Sequence, residues 1–137
     1  MVVFEDESGV RGNTSGTYFR DATVLLTRKN EQGALVAPEE AIDRNTLIKM
    51  MTSWPARYVL KEDVLGTLEA GKLADVLVLN QDYFTVPIEK LPDTFPLLTI
   101  VGGKIIVLRE EFAKELGRRP VGPQLEFRNE IRYRVEE

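Results

Sequence analysis

The sequence has 137 residues, enough for one core but too few for a large enzyme barrel. Its 43% apolar and 29% charged content is that of an ordinary globular chain, and a net charge of −4 argues against nucleic acid or an anionic membrane surface as partner. Cysteine and histidine are both absent, which excludes disulfides, thiol nucleophiles, Ser-His-Asp and Cys-His centres and His-rich metal sites, so catalysis confined to this chain would fall to Asp, Glu, Lys or Tyr.

In chain order, Met1–Phe4 is apolar and reads as the end of a strand. Glu5-Asp6-Glu7 and the Gly-rich stretch from Ser8 to Gly16 follow as a loop. Over Tyr18–Asn30, Phe19, Ala22, Leu25 and Leu26 recur at helical spacing, with Arg28 and Lys29 placed for the last turn, where cations suit the helix dipole. A second helical region is expected from Pro38-Glu39-Glu40, carrying the apolar stripe Ile42, Leu47, Met50, Met51 and Trp54. Pro55 must break or kink it, and Ala56–Leu60 adds one more turn. The methionines and Trp54 are expected in the core.

Beyond Asp63 the pattern changes. Gly66 to Gly71 is rich in turn residues, and Leu73–Leu79 is a short apolar run read as a strand buried on both faces. Lys72 and Asp75 are placed to form an ion pair. Residues 81–96, with Pro87, Pro92 and Pro96, form a loop holding one short turn. Leu97–Val101 and Lys104–Leu108 flank Gly102-Gly103, the signature of a tight hairpin. Glu110–Leu116 reads as a short helix ended by Gly117. In the tail, Leu125, Phe127, Ile131, Tyr133 and Val135 alternate with charged residues, the period of a half-buried strand.

Several of these segments carry a resemblance. Leu47-Ile48-Lys49-Met50-Met51-Thr52, Pro55-Ala56, Gly66-Thr67-Leu68-Glu69-Ala70-Gly71-Lys72-Leu73-Ala74-Asp75 and Val76–Leu79 resemble the end of the amidohydrolase superfamily. Asp82-Tyr83-Phe84-Thr85-Val86-Pro87 and Thr99-Ile100-Val101-Gly102-Gly103-Lys104 are similar to its family-3 branch in particular. The resemblance implies a metal-dependent hydrolase of non-peptide C–N bonds, in which a divalent metal, zinc by expectation, activates water. It also implies a TIM-like barrel with a small β domain assembled from both ends of the chain.

On that basis the fold class is α+β. Residues 1–62 would be the last barrel strand, loop and helices, and 63–108 the carboxyl-terminal contribution to a composite β-sandwich domain. Residues 109–137 would be a short helix and an extended tail strand. Family members hold the metal with a His-x-His pair, a mid-chain carboxylate or modified lysine, two later histidines and an aspartate after the last barrel strand. Asp6 is the candidate for that aspartate; the competing reading of Glu5-Asp6-Glu7 is a solvated acidic loop. One carboxylate cannot hold a catalytic zinc, which needs about three protein ligands. No cofactor is therefore expected on this chain alone, no residue of it is assigned as catalytic, and the expected partner is a missing N-terminal barrel portion or a second copy. No apolar run approaches the ~20 residues that cross a bilayer, and residues 1–15 lack a signal-peptide pattern, so a cytoplasmic protein without membrane or nucleic-acid partners is expected. The alternative is an autonomous binding or scaffold module that reuses the β domain.

Overall fold

The computed structural model describes residues 2–4, 18–30 and 32–124. The acidic triplet with Asp6 and the alternating tail after Gln124 lie outside the described residues. Within them the chain is α+β: helices α1 (Tyr18–Thr27), α2 (Arg44–Met51) and α3 (Ser53–Tyr58), then strands β1 (Val76–Leu79), β2 (Pro96–Val101) and β3 (Lys104–Leu108), then helix α4 (Glu110–Glu115). The strands form one antiparallel sheet in the order β1-β2-β3.

Helix α1 buries Phe19, Ala22, Thr23 and Leu26, the face set by their three- and four-residue spacing. The Thr23 hydroxyl satisfies itself by donating to Phe19 O at 2.6 Å. The helix ends earlier than the expected Asn30. Arg28 takes a left-handed conformation, with φ of 54°, and its amide donates back to Val24 O. Its cation therefore lies past the last turn, where Arg28 Nε donates to Val36 O.

The second helix also begins later than Pro38 implies. Pro38–Glu40 forms only a 3-10 turn, and α2 starts at Arg44, where the Asp43 carboxylate caps it by accepting from Thr46 N at 2.9 Å. Pro55 has the predicted effect. It has no N–H to donate to Met51 O, so the helix breaks at Thr52 and Pro55 falls in the first turn of α3, where no such bond is needed. Leu60 ends α3 in the left-handed region, with φ of 56°, and Lys61 N donates across the turn to Ala56 O.

The principal core is Phe19, Ala22 and Leu26 of α1, Leu47 of α2, and Tyr83 and Leu91 of the loop before β2. That loop carries a 3-10 segment, Ile88–Asp93, which packs on α1. Arg44 ties the two halves together: its guanidinium donates to Tyr83 O (2.6 Å) and Val86 O (2.5 Å), while the Tyr83 hydroxyl donates to Arg44 O (3.1 Å). Met50 is buried as expected, whereas Met51 and Trp54 are half-buried.

The Gly102-Gly103 hairpin forms as read, both glycines having positive φ, as a tight two-residue turn requires. One expectation for this region is corrected. Only Val76–Leu79 of the 73–79 run is a strand, and it is not buried on both faces, since Leu77 is 54% exposed. Among the described residues, 2–4 pair with no strand, and Phe4 N donates to Met50 O.

Candidate functional site

The segment joining α3 to β1 wraps against α3 because Gly66 permits it. Gly66 has φ of +91°, and a Cβ there would lie 2.7 Å from Ala56 Cβ and 3.0 Å from Ser53 Cα. Leu73 N donates to Val64 O and closes the loop. Inside it, Lys72 Nζ pairs with Glu69 at 3.0 Å and donates to Glu62 O and Thr67 Oγ1, both at 2.7 Å. The expected Lys72–Asp75 pair does not form. The hairpin turn brings Gly102 N within 2.6 Å of Asp75 Oδ1, and that amide takes the carboxylate.

This loop, the helices and the sheet enclose an open cleft of about 700 Å³. Tyr18, Phe19, Ile48, Met51 and Pro55 form its helical wall, Leu65 and Leu68 its rim, and Leu77, Leu79, Thr99 and Val101 its sheet wall. The few polar side chains are largely committed elsewhere. Thr52 donates to Ile48 O, Thr67 to Glu69, and Asp75 accepts from Gly102. What remains is apolar surface, suited to contact with another apolar body and lacking an activated nucleophile or base.

The shifted titrations sit outside that surface and follow local hydrogen bonds. The Thr46 amide and hydroxyl hold Asp43 below the usual carboxylate range, and Lys72, with Thr67, does the same for Glu69. The Phe84 amide does so for Asp82, helped by Thr85. Burial pushes the Tyr83 phenol up to about 12. Each of these groups braces a turn or a helix end, and none forms a reacting pair.

Among the described residues, no group of three His, Cys, Asp or Glu side chains could hold a metal ion, and the whole sequence supplies neither His nor Cys. The donor set of the described residues therefore does not fit a catalytic metal. Asp6, the one ligand position assigned from sequence, lies outside them. No helix of the described residues is long and apolar enough to cross a membrane.

Residues 16–107 match the Amidohydrolase family model in its family-3 form, and the chain belongs to that family. Members of the family are generally metal-dependent. The chain is also similar to an N-substituted formamide deformylase from Arthrobacter pascens, with 34% identity over 99 residues. That match covers 70% of this chain but 18% of the relative, so the chain spans under a fifth of the relative's length. No solved structure is significantly similar to it.

Sequence reading missed the cleft and the Arg44–Tyr83 staple. The cap of α2 was available to it, since an Asp three residues before Thr46, ahead of an apolar run, is a helix-start signal. The staple joins residues 39 apart, and no local pattern announces such a pairing.

Proposed function

We propose that this chain is the carboxyl-terminal portion of a metal-dependent amidohydrolase acting on non-peptide C–N bonds, and that it is catalytic only together with the rest of such an enzyme. Residues 1–62 supply the end of a TIM-like barrel, 63–108 part of a composite β domain, and 109–137 a helix and tail. The observation that carries this reading is family membership over residues 16–107 in a sequence with no histidine. A family that works through a bound metal needs ligands that this chain does not contain. The apolar cleft supports the same reading as a surface for the missing barrel to cover. By analogy with the Arthrobacter relative, an N-substituted formamide is the first substrate class to assay.

The test is co-expression with the part of that relative which the chain does not match, followed by an assay for formate release with zinc supplied. Activity that needs both chains and the metal is the expected result. Hydrolysis by the purified 137-residue chain alone would overturn the proposal. The second reading, an autonomous binding module, draws on the closed core around Leu47 and Leu91. It is favoured if the chain alone is well folded, binds no hydrophobic dye and gains nothing from the added part.

A further inference from the structure

We draw no further inference here: the strongest candidate, the apolar cleft between the helical wall of Phe19, Ile48 and Met51 and the sheet wall of Leu77 and Val101, belongs to the site already described, and nothing in the structure shows what covers it.

Discussion

The two sides of the helical layer are finished to different degrees. On one side, α1, α2 and the loop around Tyr83 and Leu91 close a core in which Leu47 and Leu91 are fully buried and the Arg44 and Tyr83 polar groups bond each other's segment. On the other, where α3 meets the loop to β1, Leu60 is 82% exposed and Leu68 78%. Local geometry is equally well defined on both sides, since Gly66 seats its loop against α3 and Lys72 gathers three oxygen partners. The open side is therefore organised but uncovered. Backbone bonding can fix a surface in place without removing its apolar groups from water, and only a further body can do the second.

The sharpest way to break the closed side is to empty its centre. Leu47→Ala removes a fully buried side chain between α1 and the Tyr83 loop and should cost about 3 kcal/mol, read as a lower urea midpoint. On the open side, Gly66→Ala should cost about 2 kcal/mol despite adding only a methyl group. The new Cβ meets Ala56 and the α3 backbone, and the positive φ suits only glycine. If Gly66→Ala were neutral, the loop would not be seated on α3, and the contrast between an organised and a loose surface would fail.

How much was legible beforehand follows the same division. The α1 face, the interruption at Pro55, the Gly102-Gly103 hairpin and the α4 stop at Gly117 all rest on local rules and stand as read. The helix starts and ends moved because they hinge on single residues: Asp43 as cap, and Arg28 adopting a conformation usually left to glycine. The burial of β1 was misread because a short apolar run looks the same whether one or both of its faces are covered, and Leu77 is 54% exposed. The Lys72–Asp75 pair failed because nearness in sequence does not reveal that Gly102, 27 residues on, competes for the carboxylate. Of the site, the family was legible from its ordered motifs, whereas the cleft is made by residues as far apart as Tyr18 and Val101 and has no sequence pattern of its own. Asp6, outside the described residues, stays an assignment from resemblance.

A smaller effect should come from Tyr83→Phe, which removes the hydroxyl donated to Arg44 O and should cost about 1 kcal/mol. Its pH dependence is the more telling readout. The folded phenol is raised from 10.0 to about 12, so its contribution is complete below pH 10 and is lost as pH rises through about 12. Alkaline unfolding of the wild type should therefore steepen across that window, and Tyr83→Phe should flatten it. A phenol titrating at its ordinary value in the folded chain would mean that the closed side admits water.

The smallest expected change has the opposite sign. Leu60 holds a left-handed conformation, which costs a non-glycine residue about 1 kcal/mol, and at 82% exposure its side chain gains little from the fold in return. In the isolated chain, Leu60→Gly should relieve that strain and raise stability by about 0.5 kcal/mol, because glycine's greater unfolded-state entropy offsets part of the gain. Hydrophobic-dye binding should fall at the same time. The comparison sharpens if the variant is also measured in the two-chain mixture of the proposed test. Should Leu60 anchor the proposed contact with the rest of such an enzyme, the same substitution that stabilises the isolated chain should weaken assembly and lower formate release. A leucine held at a position that favours glycine is then explained by what it touches in the whole protein, where local conformation alone gives it no purpose.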